Sequence, residues 1–482
     1  MVGKMIFASS NDERRSSMSE IIAKIDAIVW GIPLIVLILG CGIFLTIRLR
    51  GIQIRKLIPA LRYMVQNEND GDGDISSFAA LCTALSATIG TGNIVGVATA
   101  IAVGGPGALF WMEVAAFFGM ATKYAEGLLA IRSRVTDSSG EKLGGPFYYI
   151  ENGMGKKYRP LAKLFAVFGV LVGLLGIGTF TQINGITAAA NQFFQGDSTY
   201  MISIFGQQYS IVTVIAGLVV TIFAALSIIG GIKKISNVSQ VLVPFMAIIY
   251  IVCALMIVFS HLDEVPRAVS EILRGAFGLQ SIGGAVAGEA ILLSMQKGIA
   301  RGIFSNEAGL GSAPIASAAA KTKDSVRQGL VTMTGTFIDT ICVCTMTGLA
   351  IVISGVWKDP TLEGVEITTA AFRYGLPFPA RVSEFLLMIC LVFFAFTTIL
   401  GWSYYSERCL SYLLGRYASR GAALAFRIVY ILAVLIGPYL TVAAVWNLAD
   451  IFNALMALPN VIALIALSGV IRKETFRSNQ KS

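Results

Sequence analysis

The chain has 482 residues, of which 55% are hydrophobic and only 13% are charged, and its mean hydropathy is +0.74. This composition excludes a soluble globular protein and predicts a polytopic membrane protein, because apolar runs near the ~20 residues needed to cross a bilayer recur along the whole chain. The net charge of +9 is explained by basic loops that face anionic membrane lipid, and nothing in the pattern indicates a nucleic acid as partner.

The hydropathy pattern predicts an all-α protein with about eleven transmembrane spans. We expect them at 25–47, 78–103, 107–131, 164–190, 209–231, 238–260, 283–303, 329–356, 383–405, 424–440 and 447–470. The seventh span is interrupted by Lys297 and Arg301, which favours a broken, re-entrant or protein-buried segment. No separate soluble domain remains: a polar N-terminal segment over 1–24 and a basic tail over 471–482 flank one transmembrane domain over 25–470.

Lys and Arg are distributed very unevenly over the connections between spans. One alternate set, which includes the C-terminal tail, holds 26 of them, and the opposite set holds 5. The positive-inside rule therefore predicts a cytoplasmic C-terminus and, with an odd number of spans, an N-terminus outside the cell membrane. Four basic residues near the N-terminus favour the opposite placement locally: Lys4, Arg14, Arg15 and Lys24.

The residues that metal-dependent or hydrolytic enzymes need are not grouped in this sequence. His261 is the only histidine, and the seven cysteines lie in or beside apolar spans without a metal-binding or disulfide spacing. We therefore expect neither an enzyme nor a bound cofactor.

The second span contains an unusual run of small polar residues, Ser-Ala-Thr-Ile-Gly-Thr-Gly-Asn at 86–93. Its two glycines weaken the helix, and backbone groups freed in hydrocarbon must find a partner, for which a transported solute or ion is suited. Transporters place their substrates at such glycine-interrupted helices. Helix packing through Gly92 and Gly96 is the alternative explanation of the glycines.

This run offers two kinds of binding group. Hydroxyls, amide oxygens and unwound carbonyls suit a hard cation such as Na⁺. Free N–H groups at the start of the second half-helix, at its positive dipole end, suit a carboxylate. One break can therefore bind a cation together with the ammonium and carboxylate groups of an amino acid.

Polar residues in other spans have two interpretations. Gln182 can bind a carboxylate or only a neighbouring helix. Thr398 and Trp402 are one helical turn apart and share a face, next to Thr397, yet threonine often bonds its own helix and tryptophan often fills a core.

Buried acidic residues are costly in a membrane and are therefore candidates for function. Lys123 and Glu126 are expected to pair with each other. The remaining carboxylates are possible ion ligands, gates, loop caps or partners of a basic residue, and their roles stay open: Glu113, Glu289, Asp339 and Asp450.

A second glycine-rich stretch covers 298–311, in the seventh span and the connection after it. If the first span is set aside, spans 2–6 and 7–11 form two sets of five, and each set opens with a disrupted helix. Because five is odd, the two sets have opposite topology. This is the inverted repeat of secondary transporters, whose paired broken helices frame the binding site.

Several motifs in order resemble the alanine or glycine:cation symporter family, the sodium:alanine symporters. The resemblance runs from about residue 75 to 470. Its motifs are GTGN at 90–93, GGPGALFWMEVAAFFG at 104–119, GGPFYY at 144–149, FSNEAGLGSAP at 304–314 and GWSYY at 401–405. Glu113 departs from the pattern, which leads us to expect tryptophan there.

The resemblance implies a fold like that of the bacterial leucine transporter with one extra N-terminal helix, and Na⁺-driven uptake of alanine or glycine. It assigns the substrate carboxylate to the backbone of Gly92 and to Asn93 and Gln182. It assigns the substrate amine to the Ile89 carbonyl and the hydroxyl of Thr91 or Thr398.

The resemblance also implies how the pocket closes and where the ion binds. Trp402 would close the pocket over a small side chain, and Phe304 would form a further wall. Sodium would lie between the second and ninth spans, near the Ser86 and Ile89 carbonyls and Thr397 or Thr398. We therefore predict a Na⁺-coupled symporter of small neutral amino acids; the alternatives are a channel or a non-transporting amino-acid sensor of the same fold.

Overall fold

The computed structural model describes residues 24–25, 28–66, 73–137, 140–194, 200–204, 207–278, 284–440 and 442–478. Nearly all of the expected polar N-terminal segment over 1–24 therefore lies outside the described residues. Within the expected tail, the chain is helical as far as Ser478, and Thr475 hydrogen-bonds to Tyr124 at 2.8 Å.

The described chain is helical, as the composition predicts. Its first half contains α1 Ile32–Arg48, α2 Ile52–Arg55, α3 Leu57–Val65, α4 Ser77–Thr88, α5 Val97–Gly104, α6 Gly107–Arg132, α7 Pro146–Tyr148, α8 Arg159–Leu175, α9 Phe180–Phe194, α10 Ile211–Ile228 and α11 Gly231–Ser260. Its second half contains α12 Val265–Ala276, α13 Gly284–Asn306, α14 Ala313–Ser317, α15 Ser325–Thr336, α16 Thr345–Ser354, α17 Val365–Gly375, α18 Ala380–Leu414, α19 Arg420–Ile436, α20 Val442–Ala466 and α21 Ser468–Ser478.

Short irregular elements join these helices. In the part of the chain that the structure describes, π-helical segments lie at Gly92–Gly96, Tyr149–Met154 and Phe337–Cys344, and 3₁₀ turns lie at Lys156–Tyr158, Val356–Lys358, Gly415–Tyr417 and Gly437–Tyr439. The described ranges also contain two antiparallel β-hairpins, which the hydropathy pattern does not predict. They pair β1 Val135–Thr136 with β2 Lys142–Leu143 and β3 Met201–Ile204 with β4 Gln207–Ser210.

Among the described residues, eight helices are long and apolar enough to cross a membrane, and a bent pair, Ser77–Thr88 with Gly92–Gly104, adds a ninth span. Helix α1 is apolar but shorter, and α13, with Lys297 and Arg301, is not among the eight. Each predicted span overlaps a helix, while the number of membrane crossings stays a prediction.

Helix α18 passes close to both disrupted segments. It packs against α4, α8 and α9, while α6 packs against α13 and α15. Helix α13 also contacts the π-helical turn Gly92–Gly96. The two disrupted segments therefore lie next to each other inside the bundle.

The disrupted stretch expected over 298–311 is confined to its last residues. Residues up to Asn306 are regular helix, and Gly298 allows close packing, since a Cβ there would lie 2.2 Å from the carbonyl oxygen of Ala108. The helix ends only where Glu307, Gly309 and Gly311 have positive φ.

Candidate functional site

The first predicted break exists. Helix α4 ends at Thr88, and the chain resumes as a π-helical turn at Gly92, with 51° between the two halves. Residues 89–91 thus interrupt the hydrogen bonding of a buried helix. Polar groups of other helices must satisfy the freed backbone, because each unsatisfied group in hydrocarbon costs several kcal/mol.

Helices α9 and α18 supply these partners. The backbone N–H of Thr91 donates to Gln182 Oε1 at 3.1 Å. Thr398 Oγ1 donates to the Ile89 carbonyl at 3.2 Å and shares this hydrogen bond with the Phe394 carbonyl of its own helix at 3.0 Å. At Gly90 between them, a Cβ would lie 2.5 Å from Thr398 Oγ1 and 2.9 Å from Gln182 Oε1. The structure therefore brings Ile89, Thr91, Gln182 and Thr398 together around a position that only glycine fits.

An interruption between α8 and α9 places Gln182 in the first turn of α9. Gln182 Nε2 donates to the Ile177 carbonyl in that interruption at 2.9 Å, which turns the amide oxygen toward Thr91. The hydroxyl of Thr91 is buried without a hydrogen-bond partner among the described residues.

Asn93 follows the break in the chain and connects it to a second set of residues. Its Oδ1 accepts the N–H of Gly90 at 2.9 Å, and its Nδ2 donates to the backbone oxygen and Oδ1 of Asp339 at 3.0 and 2.8 Å. Asn93 thus connects the first break with the π-helical segment Phe337–Cys344, and segments of this kind are frequent at functional sites.

Asp339 is the centre of a fully buried polar cluster. Its Oδ2 accepts hydrogen bonds from Ser305 at 2.9 Å and Thr340 at 2.8 Å, and Thr340 accepts one from Asn306 at 3.0 Å. The cluster combines a carboxylate with hydroxyl and amide oxygens, which are ligands that a hard cation prefers. The sequence alone assigns no role to Asp339, since its partner Asn93 is 246 residues away in the chain.

The second break, residues 307–312, is held by three helices. Glu307 Oε1 accepts the indole N–H of Trp402 on α18 at 2.8 Å. The N–H of Gly309 donates to Glu126 on α6 at 3.2 Å, and its carbonyl accepts from Asn460 on α20 at 2.9 Å. Glu126 therefore anchors this break, and no ion pair within 4 Å joins it to Lys123 in the described structure, so the predicted pairing is wrong.

The remaining predicted residues vary in their surroundings. The hydroxyls of Ser86 and Thr397 donate to carbonyls of their own helices, at 2.8 and 3.0 Å. Phe304 is buried beside Gly92, and its ring lies 5.1 Å from that of Trp446. Of the eight residues predicted to bind substrate, every one is buried: Ile89, Thr91, Gly92, Asn93, Gln182, Phe304, Thr398 and Trp402.

The three other carboxylates whose roles the sequence left open differ in partners and burial. Asp450 forms a two-point ion pair with Arg301 at 3.0 and 2.8 Å, which is the internal basic partner considered for such residues. Glu113 is half-buried on α6, and Glu289 is exposed on α13.

A family model described as "Sodium:alanine symporter family" matches residues 15–482 of this chain. The chain belongs to the sodium:alanine symporter family. An uncharacterized transporter of Haemophilus influenzae is 50% identical over 95% of this chain and 96% of its own length. The sodium/alanine symporter AgcS of Methanococcus maripaludis is 46% identical, with the same coverage of both chains. The family is one of membrane symporters rather than enzymes, so membership confirms transport as the class of function.

The fold of this family member is similar to that of MhsT, solved in complex with L-phenylalanine. The TM-score is 0.54 at 13% identity, over 84% of this chain and 99% of MhsT. The likeness supports the expected leucine-transporter-like architecture at the level of the fold.

Three residues that hold the site were not assigned roles from the sequence. Ser305 and Glu307 fall within the motif FSNEAGLGSAP, which identified the segment but not the contacts of its side chains. Thr347, whose hydroxyl donates to the Asn93 carbonyl at 2.8 Å, lies in an apolar helix and has no signal in the local sequence.

Proposed function

We propose that this chain is a Na⁺-coupled symporter that imports small neutral amino acids such as alanine and glycine across the cell membrane by alternating access. The inverted repeat over spans 2–6 and 7–11 and the cytoplasmic C-terminus are part of the proposal. The observation that supports it most directly is the break at residues 89–91. Its backbone groups lack partners within the helix and contact Gln182 and Thr398 instead, in a fully buried site.

The break offers complementary groups to both ends of a zwitterion. The carbonyl of Ile89, at the negative end of α4, suits the substrate ammonium, together with the hydroxyl of Thr398 or Thr91. The N–H groups at the start of the second half-helix, near Gly92, suit the carboxylate. In the proposal, the amide N–H groups of Gln182 and Asn93 complete the carboxylate site. This requires the Gln182 oxygen to leave the N–H of Thr91, and the amide N–H groups of Gln182 and Asn93 to turn from Ile177 and Asp339 toward the substrate.

The walls of the site restrict the size of the substrate side chain. A Cβ at Gly92 would lie 3.3 Å from Phe304, so Phe304 leaves little room beside the backbone of Gly92. Trp402, on the same face of α18 as Thr398, closes the pocket on another side in our proposal. A hydrogen or a methyl group is therefore favoured over a larger side chain.

Two positions are proposed for Na⁺. The first lies between the second and ninth predicted spans, where Thr398 contacts the Ile89 carbonyl. The Ser86 carbonyl precedes Ile89 by three residues, and Thr397 is the neighbour of Thr398 in the chain. The second is the Asp339 cluster, because its carboxylate supplies the negative charge that the first position lacks. Asn93 contacts both the break and Asp339, so an ion at Asp339 would order the carboxylate site.

Coupling then follows from linkage. If Na⁺ fixes Asn93 and the first break in the binding geometry, alanine binds more tightly, and alanine must raise the Na⁺ affinity by the same factor. Typical coupling of this kind is ~1–3 kcal/mol, or about 5- to 150-fold in affinity.

Uptake into proteoliposomes tests the proposal. We expect an inward Na⁺ gradient to drive accumulation of alanine or glycine, and Gln182→Ala or Asn93→Ala to abolish binding in a folded protein. Gln240→Ala serves as the matched control, because this amide on α11 is outside the site and contacts Asn237 at 3.4 Å. Wild-type affinity in the purified Gln182→Ala variant would refute the assignment.

The same preparation distinguishes the alternative functions. A channel would give a flux that does not saturate with substrate, and a sensor would bind alanine without accumulating it. Accumulation that is indifferent to Na⁺ would indicate proton coupling or exchange. Counterflow with a panel of amino acids, with and without Na⁺, then determines which substrate is preferred.

A further inference from the structure

Helix α18 contacts both breaks through side chains one turn apart. Thr398 donates to the Ile89 carbonyl in the first break at 3.2 Å, and Trp402 donates to Glu307 in the second at 2.8 Å. Thr398 and Trp402 therefore project toward the region between the two breaks, and the orientation of the Trp402 indole depends on a residue of the second break.

The backbone at Glu307 is unusual for a residue with a side chain. Its φ is 55°, in the left-handed region, whereas the other two positive-φ positions of the break are glycines, Gly309 and Gly311. An L-residue is disfavoured there because its Cβ approaches the backbone, so glycine is the residue the conformation favours. A glutamate at this position indicates that its carboxylate has a role that offsets the strain.

Both carboxylate oxygens of Glu307 are engaged inside the bundle. Oε1 accepts from Trp402, Oε2 accepts from the hydroxyl of Ser312, and the side chain is fully buried. A carboxylate held at two points leaves the indole N–H one well-defined acceptor.

We propose that Glu307 is a positioning residue that fixes the Trp402 indole against the pocket and thereby sets the size limit for the substrate side chain. This inference rests on the proposed function, in which Trp402 closes the amino-acid pocket. Without the acceptor, the buried indole N–H loses its partner and the ring leaves its position. Larger side chains then enter, and alanine loses part of its contact surface.

Two substitutions of Glu307 and one of Trp402 distinguish this role from a non-specific loss of folding or binding. Glu307→Gly removes the carboxylate and suits the left-handed backbone, whereas Glu307→Gln keeps a carbonyl oxygen as acceptor. Trp402→Phe keeps an aromatic ring without the donor. Arg50→Gly is the matched backbone control, since Arg50 is the other non-glycine residue with positive φ among the described residues, at 58°.

Binding of alanine and leucine to the purified full-length protein in Na⁺ is the first measurement. We expect Glu307→Gly and Trp402→Phe each to lower the preference for alanine over leucine by about tenfold, the effect of a lost ~1.4 kcal/mol contact. Glu307→Gln should retain most of the preference, and Arg50→Gly all of it. Adding Glu307→Gly to Trp402→Phe should change the preference less than twofold further, because both act through one hydrogen bond.

The second measurement needs no substrate. The five tryptophans give five ¹⁵N-indole resonances, and that of Trp402 is the one absent from Trp402→Phe. Glu307→Gly should shift this resonance away from its hydrogen-bonded position, while Arg50→Gly should leave it unchanged. An unshifted resonance would show that Glu307 does not hold the indole and would overturn the proposal.

The outcomes distinguish the two levels of inference. A wild-type protein that binds no neutral amino acid refutes the proposed function and the size limit with it. Normal wild-type binding with an unchanged preference in Glu307→Gly or Trp402→Phe refutes only the role of Glu307. The role of Glu307 is also overturned if Glu307→Gly lowers the preference for alanine over leucine by the same factor in the wild type and in Trp402→Phe. The carboxylate would then act through a group other than the indole.

Discussion

Gly90 is the position where a single methyl group tests the arrangement of the first break. In Gly90→Ala, the new Cβ would lie 2.5 Å from Thr398 Oγ1 and 2.9 Å from Gln182 Oε1, so both side chains must move. Overpacking of this kind costs ~1–3 kcal/mol, and losing the hydrogen bond from Thr398 to Ile89 costs ~1 kcal/mol more. Because the displaced groups are the proposed substrate ligands, we expect alanine affinity to fall by roughly 30- to 700-fold.

Gly96→Ala on the same broken helix is the control. A Cβ at Gly96 would meet only Arg301 Cδ, at 3.9 Å, which is an ordinary contact. We expect this variant to bind alanine as the wild type does, with an equal or slightly higher melting temperature, since alanine favours helix over glycine by ~1 kcal/mol.

The assay is equilibrium binding of radiolabelled alanine to purified protein at saturating Na⁺, with thermal unfolding of both variants measured in parallel. A Gly90→Ala variant that folds and binds alanine within twofold of the wild type would refute the crowding of Gly90 by Gln182 and Thr398. An equal loss of alanine affinity in Gly90→Ala and Gly96→Ala would show that any added methyl group on this helix weakens binding. The contact at Gly90 would then not be the cause.

Three other substitutions test separate parts of the structure. Asp339→Asn should raise the Na⁺ concentration needed for half-maximal uptake by about tenfold or more, as expected for loss of the charged ligand of a cation, and an unchanged Na⁺ dependence would exclude Asp339 as a ligand. Asp450→Asn leaves Arg301 without its buried partner and should lower the free energy of unfolding by ~3–5 kcal/mol, which thermal melting in detergent measures; an unaltered melting temperature would contradict this. Gly311→Ala places a Cβ 2.6 Å from Pro146 at a φ of 83°, so folded yield should drop sharply, and a normal yield would show that this junction can relax.

The bundle and the first break follow from local features of the sequence. Apolar runs predict membrane helices because hydrocarbon excludes charge, and the cluster of glycines and hydroxyls at 86–93 marks the one place in the second span where a regular helix is weakest. The family resemblance assigned Gln182 and Thr398 to the substrate and ion site, which stays a prediction; the structure shows that both side chains contact the first break.

The second break shows where sequence reasoning fails. Glycines at 298 and 302 have the same local signature as those at 309 and 311, yet the first pair packs α13 against α6 and only the second pair breaks the chain. A glycine in a membrane helix serves close packing or a turn, and which of the two depends on what lies across from it.

By itself, the sequence determined the class of protein, the helices, the location of the first break and the family, because these depend on composition, periodicity and ordered motifs along the chain. The tertiary structure alone decided which polar groups meet. Asn93 and Asp339 are 246 residues apart, and Trp402 and Glu307 are 95 apart. The physical reason is that a buried polar group must find a hydrogen-bond partner, and in a bundle of long helices the available partner is supplied by helix packing rather than by neighbours in the sequence.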